Sequence, residues 1–194
     1  IFRLEVPDIA ADTRLQQGLE IIRGLVDAAK GEVPVIGSAI SPYSIPVMLM
    51  GFEAYLDLLH DDAQGFERLM SVTTRFAVSW ANAQFAAGAT ACGYFDPLSA
   101  TDIIEEKLWR RTGLPVAKQA LAGYAGPGAM HFASGRALGR MPDYLDTGAA
   151  GLGVSCLDDL AELKRQASGR IALMGNLDGI RLARVVLDGW LRGQ

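Results

Sequence analysis

Short apolar runs alternate with stretches of helical spacing along the chain, and this alternation limits the possible folds more than any other feature of the sequence. Five runs have the length and composition of buried strands, at residues 33–39, 89–95, 129–133, 152–156 and 171–174. Between them, apolar residues recur every three or four positions, as Leu15, Leu19, Ile22 and Val26 do, which is typical of amphipathic helices. The order of strands and helices predicts an α/β fold with a parallel sheet.

Polar turns that suit helix starts follow most of the predicted strands. They contain Ser, Asp or Pro, which satisfy or dispense with the unpaired amides of a first helical turn. These turns are Ser41-Pro42, Asp96-Pro97, Ser134-Gly135 and Asp158-Asp159.

Five strand–helix units fit either an open, doubly wound sheet or part of a (β/α)8 barrel. An open nucleotide-binding sheet usually has a glycine-rich phosphate turn after an early strand, and no G-x-G-x-x-G or P-loop stands at such a turn here. This favours a barrel, of which 194 residues are too few to make a complete example.

The composition excludes several classes of protein. A chain that is 50% hydrophobic and 21% charged is a globular protein rather than a disordered one. Its net charge of −4 and the lack of a dense Lys/Arg cluster argue against a nucleic-acid-binding or membrane-binding surface. The most apolar segment, residues 45–52, is shorter than the roughly 18 residues of a membrane span. Two cysteines, Cys92 and Cys156, make no disulfide framework and fit a reducing, cytoplasmic location.

Polar residues collect where the predicted strands end. The carboxyl ends of parallel strands meet at one edge of a sheet, where loops converge on a crevice. We therefore expect a site at that edge. The candidates there are Ser41, Asp96, His131, Cys156, Asn176 and Asp178.

The individual residues leave alternatives open. His131 suits a metal ligand or an acid/base, or a histidine at the core edge bonded to a backbone carbonyl. Asp96 precedes a proline, so its carboxylate either projects at the strand end or caps a helix near Ser99, and Asp178 has the same two interpretations. Cys156 is a thiolate ligand or a buried apolar thiol, and with His131 and Asp96 it would give zinc a mixed donor set.

Three segments carry a resemblance to a known family. They are residues 33–38 with Ile40-Ser41-Pro42, Gly88-Ala89 leading into Tyr94-Phe95-Asp96-Pro97, and Leu173-Met174-Gly175-Asn176-Leu177-Asp178. On these motifs the chain resembles the uroporphyrinogen decarboxylase superfamily over residues 6–180, and the Gly-Asn-Leu-Asp of residues 175–178 is the most specific mark. The resemblance implies a (β/α)8 barrel, with these five strands as its third to seventh.

The superfamily has two main branches, which are the decarboxylases of haem biosynthesis and methyltransferases that act between a corrinoid protein and a thiol such as coenzyme M. Met48 stands where the decarboxylases carry a tyrosine. The Asp96-Pro97 pair and the opening Val6-Pro7-Asp8 with Arg14 look more like the methyltransferases. The resemblance therefore implies methyl transfer between a methylcobamide and a thiol-type acceptor. Uroporphyrinogen decarboxylation is the alternative, and a non-catalytic barrel that binds a corrinoid or a partner is a third hypothesis.

The resemblance and the strand-end positions together suggest roles for the candidate residues. The catalytic candidates are Asp96 and His131, and the substrate-binding candidates are Ser41, Met48, Asn176 and Asp178. Methyltransferases of the family hold zinc with a His-x-Cys pair and a later cysteine. His131 matches that histidine, whereas Ala133 stands at the position of the paired cysteine. Cys156, on the neighbouring strand, is our own candidate for the replacement ligand.

The resemblance also implies partners and a larger domain. A corrinoid protein or a tetrapyrrole substrate is the expected partner, and a homodimer is expected by analogy with the decarboxylases. We expect residues 1–194 to belong to a single barrel domain that is incomplete at both ends, within a chain of about 250 residues or more.

Overall fold

Within residues 3–133 and 135–192, which the computed structural model describes, five parallel strands form one sheet in the order of the chain. The strands are β1 (Ile36–Ile40), β2 (Ala91–Phe95), β3 (Gly128–His131), β4 (Gly151–Gly153) and β5 (Ala172–Met174). All five predicted strands are therefore present, with shifted ends.

Along the chain, helices come before the first strand, between the strands and after the last strand. Those up to β3 are α1 (Thr13–Ala29), α2 (Ile45–Met50), α3 (Phe52–Asp61), α4 (Ala63–Ala86), α5 (Glu106–Arg111) and α6 (Gly113–Ala122). Those after β3 are α7 (Met141–Asp146), α8 (Leu160–Ala167) and α9 (Gly179–Arg192). In the part of the chain that the structure describes, no helix is both long enough and apolar enough to cross a bilayer.

The consecutive strand order decides between the two sheet types. A doubly wound sheet reverses its order at a switch point and carries helices on both faces. Here each connection advances to the next strand in the same direction, and right-handed crossovers of that kind place their helices on one face. The described chain thus forms about five consecutive units of a (β/α)8 barrel, which confirms the expected fold class.

The two faces of the sheet differ in packing. Tyr94, Met130 and Leu152 point toward the helices and are fully buried in the main core. On α4, the Gln84 amide bonds the backbone nitrogen and oxygen of Ser38 at 2.9 and 3.0 Å, which ties that helix to β1. The other face lines what would be the lumen of a closed barrel, and we call it the lumen face.

One helix starts at the turn that the sequence predicts, and two do not. Asp159 caps α8, because its carboxylate accepts hydrogen bonds from the amides of Ala161 and Glu162. After β1 the helix begins only at Ile45, and after β2 there is a single 3-10 turn, Pro97–Ser99. The predicted start at Ser134 lies outside the described residues.

Candidate active site

A row of side chains crosses the lumen face at the carboxyl ends of the strands. Strand register places Ile40 beside Phe95, Phe95 beside His131, and Gly153 beside Met174. His131 and Gly153 are neighbours as well, because an added Cβ on Gly153 would lie 2.6 Å from the imidazole Cδ2. We call these five residues the lumen row, and His131 is its hydrogen-bonding side chain.

Neighbouring groups fix the orientation of His131. Its ring stacks on Phe95 with a centroid separation of 5.6 Å and an interplanar angle of 30°. Nδ1 accepts a hydrogen bond of 3.1 Å from the amide of Ala133, so this nitrogen does not donate to a backbone carbonyl. In a neutral imidazole with Nδ1 as acceptor, the proton is on Nε2. His131 is exposed, and it therefore presents an N–H donor at the barrel mouth.

An apolar cavity of about 400 Å³ lies beside the lumen row, and we call it the mouth cavity. Ile40 and Phe95 belong to both, and His131 stacks on Phe95. The other lining residues are Ser44, Val47, Met48, Phe52, Pro97, Leu98 and Ile103. Met48, a predicted substrate-binding residue, is 73% exposed at the rim. Pockets of this kind, apolar with a few placed polar groups, are typical of small-molecule sites.

Asp96 is not part of the mouth, and the expectation that its carboxylate projects there is wrong. The carboxylate is fully buried and accepts hydroxyl hydrogen bonds from Ser41 and Ser44 at Oδ1, both 2.7 Å, and from Ser99 at Oδ2, 2.6 Å. Burial raises the pKa of this carboxyl, and the serine hydroxyls act in the opposite direction. Phe95 faces the lumen, so the next residue along the strand faces the helices.

The serine cage, which we define as Ser41, Ser44 and Ser99, extends into a wider buried network. Trp109 of α5 donates its indole N–H to the Ser99 hydroxyl at 2.9 Å. The Arg140 guanidinium lies 4.9 Å from the Trp109 ring centroid and donates to the Ser99 carbonyl at 3.2 Å. Sequence reasoning missed this network. Its available signal was the set of serines on both sides of Asp96.

The predicted residues after β5 hold the backbone of neighbouring loops. The Asn176 side-chain nitrogen donates to the carbonyls of Ser155 and Asp158 at 3.1 and 2.8 Å. Asp178 accepts bonds from the amides of Ile180 and Arg181, both 3.0 Å, and so caps the start of α9. For Asp178 the structure thus shows the capping geometry, and substrate binding by either residue stays a prediction.

The residues that the structure describes do not by themselves fit a zinc site. Cys156 is exposed in the loop after β4, which ends at Gly153, so its interpretation as a buried thiol ending the strand is wrong. The Asp96 carboxylate is enclosed by the serine cage, and the Nδ1 lone pair of His131 already accepts the Ala133 amide. In the described part of the chain, no three His, Cys, Asp or Glu side chains come together to hold a metal ion.

Known proteins resemble the chain in sequence and in fold. The family model described as uroporphyrinogen decarboxylase (URO-D) matches residues 1–184. A uroporphyrinogen decarboxylase of Cupriavidus necator is 27% identical over 91% of this chain and 51% of its own length. Another, from Xanthomonas euvesicatoria, is 28% identical over 92% of this chain and 52% of its own length. The chain thus spans about half the length of these curated relatives.

A solved structure shows the same fold. A methyltransferase from Methanosarcina mazei superimposes with a TM-score of 0.84, at 21% identity, over 91% of this chain and 52% of that one. At this level of identity the likeness concerns the fold, and the family follows from the sequence match. The chain belongs to the uroporphyrinogen decarboxylase (URO-D) family.

Proposed function

We propose that the protein is a methyltransferase that moves a methyl group between a corrinoid and a thiol-type acceptor, with a corrinoid protein as its partner. The observation that supports this proposal is the His131 imidazole in the lumen row beside an apolar cavity, with Nδ1 accepting the Ala133 amide so that Nε2 is the donor nitrogen. The other members of the row, Ile40, Phe95, Gly153 and Met174, are uncharged.

The role of His131 follows from what the acceptor needs. A thiolate is a much better nucleophile than a thiol, and a hydrogen-bond donor directed at the sulfur favours the anionic form. The Nε2–H supplies that donor, and the proton of the thiol leaves to solvent. A methylcorrinoid at the barrel mouth would supply the methyl group to that sulfur, and its cobalt would keep the electron pair of the broken cobalt–carbon bond. Phe95 and Gly153 hold the imidazole in place for this step.

Uroporphyrinogen decarboxylation is the second candidate, because the curated relatives described above carry that name. A substrate carboxylate is also an acceptor that Nε2–H can bind. Arg136, in the loop after β3, is exposed and would provide a cation for such a substrate. The apolar lining of the mouth cavity favours the first candidate, since the acidic side chains of a uroporphyrinogen need several cationic partners.

The two candidates are separated by assaying the protein without oxygen, with methylcobalamin and a panel of thiols and separately with uroporphyrinogen. We expect a methyl thioether by mass spectrometry and loss of the methylcobalamin absorbance. His131→Phe keeps an aromatic ring against Phe95 but removes the donor, and we expect a rate about 100-fold lower. His60→Phe, at an exposed position in the last turn of α3, is the matched control.

Other outcomes would contradict the proposal. Decarboxylation without methyl transfer would establish the second candidate. Turnover of neither substrate would favour the non-catalytic barrel that binds a corrinoid or a partner.

A further inference from the structure

We infer that the methyl acceptor has an uncharged, apolar body, which occupies the mouth cavity, and that acceptors bearing a sulfonate or carboxylate are excluded from it. This inference rests on the proposed function and adds the chemical class of the acceptor. It comes from the walls of the cavity, which are apolar although methyl transfer to a thiol does not require apolar walls.

The volume and walls of the cavity suit an aromatic or branched aliphatic group. An apolar cavity of about 150 Å³ holds a benzene molecule, and the mouth cavity is more than twice as large. The Phe52 and Phe95 rings form part of its wall, with Leu98 and Ile103 around them. Met48 at the rim has a flexible thioether side chain, which adapts to ligands of different shape.

Among the described lining residues, Ser44 supplies a hydroxyl, and this hydroxyl already has hydrogen-bond partners within the protein. Ser44 Oγ donates to Asp96 Oδ1 at 2.7 Å and accepts the Leu98 amide at 3.1 Å. An anionic ligand would lose its hydration here and gain no counter-ion from the lining residues, which is a costly arrangement.

Phe95 connects the mouth cavity with His131. Phe95 contacts the cavity on one side and stacks on the imidazole at 5.6 Å. A ligand body packed against Phe95 lies beside the lumen row, to which Phe95 and His131 both belong. The apolar group supplies binding energy through burial, and the single polar end receives the hydrogen bond.

The test measures binding of thioether products, which undergo no reaction and need no corrinoid. Benzyl methyl sulfide is titrated against 2-(methylthio)ethanesulfonate, with calorimetry or ligand-observed NMR as the readout. We expect the neutral probe to bind saturably and the sulfonate to bind at least about tenfold more weakly, because its charge has no partner in the cavity.

A pair of lysine variants locates the binding. Ile103→Lys places a cation in the cavity wall at a position that is 49% exposed, and we expect it to weaken binding of the neutral probe about tenfold. Ile21→Lys makes the same change on α1, at a position that is 65% exposed and outside the cavity lining. We expect that variant to bind as the original protein does.

The outcomes separate this inference from the proposed function. Sulfonate binding as tight as that of the neutral probe, or neutral binding that Ile103→Lys leaves unchanged, overturns the inference. Methyl transfer to 2-mercaptoethanesulfonate as fast as to benzyl mercaptan overturns it too, while the proposed function stands. Neutral binding lost in Ile103→Lys, without methyl transfer to any thiol, supports the apolar site and overturns the proposed function.

Discussion

At the scale of single residues, the orientation of His131 depends on a glycine in the neighbouring strand. A Cβ at position 153 would lie 2.6 Å from the imidazole Cδ2, so Gly153→Ala must displace the ring. We expect the His131 ring-proton signals to shift in NMR spectra and turnover to fall about 10- to 100-fold, since small misplacements of a catalytic group are costly. Overpacking should lower the free energy of unfolding by about 1–3 kcal/mol.

Gly24→Ala is the matched control for this change. It adds the same methyl group within α1, where nothing lies within 4 Å of the added atom. Alanine is the better helix former, so we expect this variant to be about 0.5–1 kcal/mol more stable and fully active. Unchanged His131 signals in Gly153→Ala would show that the glycine does not set the position of the ring.

We expect Asp96 to make the stability of the protein depend on pH. Its pKa is raised by burial above the ordinary value of 3.8. At a pH between the unfolded and folded pKa values, the folded protein therefore keeps a proton that the unfolded chain has lost. The stabilisation from this group is complete below about pH 4 and is lost as pH rises through the folded-state pKa. Asp96→Asn lacks this pH dependence and leaves hydroxyls of the serine cage poorly paired, at a cost of about 1–3 kcal/mol.

We therefore expect the stability gap between the original protein and Asp96→Asn to narrow as pH rises. Urea unfolding at several pH values from about 4.5 to about 8 measures that gap. Asp27→Asn, at an exposed position on α1, reports the effect of removing an aspartate that is not buried. A gap that widens with pH would mean that the serine cage outweighs burial and holds the carboxylate charged.

The residues at the strand ends could be predicted from the sequence, but their directions could not. The positions of Asp96 directly after one apolar run and of His131 within the next were enough to place both at one edge of the sheet. Side chains alternate between the two faces of a strand, so a shift of one residue in the strand end reverses the face. The sequence alone does not fix that end to within one residue. Asp96 consequently faces the helices while His131 faces the lumen.

At the scale of elements, the existence and order of the strands could be predicted better than their ends. The first strand begins at Ile36 rather than Val33, because Pro34 has no amide hydrogen to donate to a neighbouring strand. The fourth ends at Gly153 rather than Cys156, because the next residues form a loop held by side chains. Asp158 takes part in that loop by accepting the amides of Ala137 and Leu138 at 2.7 and 3.3 Å.

Helix starts were harder to predict because polar side chains near them have competing partners. Ser41 was expected to begin a helix, yet its hydroxyl bonds the Ser44 amide and the Asp96 carboxylate, and α2 begins later. The Asp159 carboxylate bonds amides of its own helix and caps α8 as its position in the sequence indicates. Capping preferences read from the sequence predict the helix start where the capping side chain is exposed. Where that side chain is buried, its tertiary hydrogen bonds take the place of the cap.

At the scale of the whole molecule, the sheet has two edges. In the part of the chain that the structure describes, β1 pairs with no strand but β2, although the Gln84 side chain bonds the Ser38 backbone, and β5 pairs with no strand but β4. Ile36 and Met174, on these edge strands, are 58% and 46% exposed. Unpaired strand edges with exposed apolar side chains favour pairing with another chain. The expectation that residues 1–194 are part of a larger barrel stays a prediction. The exposed edges of the sheet are expected to affect its state of association.

We predict that a polypeptide limited to residues 1–194 self-associates. Sedimentation velocity should show an average mass that rises with protein concentration, because association covers the edges and the apolar lumen face. Ile36→Lys places a charge on the β1 edge and should shift the distribution toward the monomer. Leu25→Lys, at a 53% exposed position on α1, makes a similar change away from both edges and should not. A stable monomer of 20.7 kDa that unfolds cooperatively would contradict this prediction, since it would show that these edges need no further strands to remain soluble.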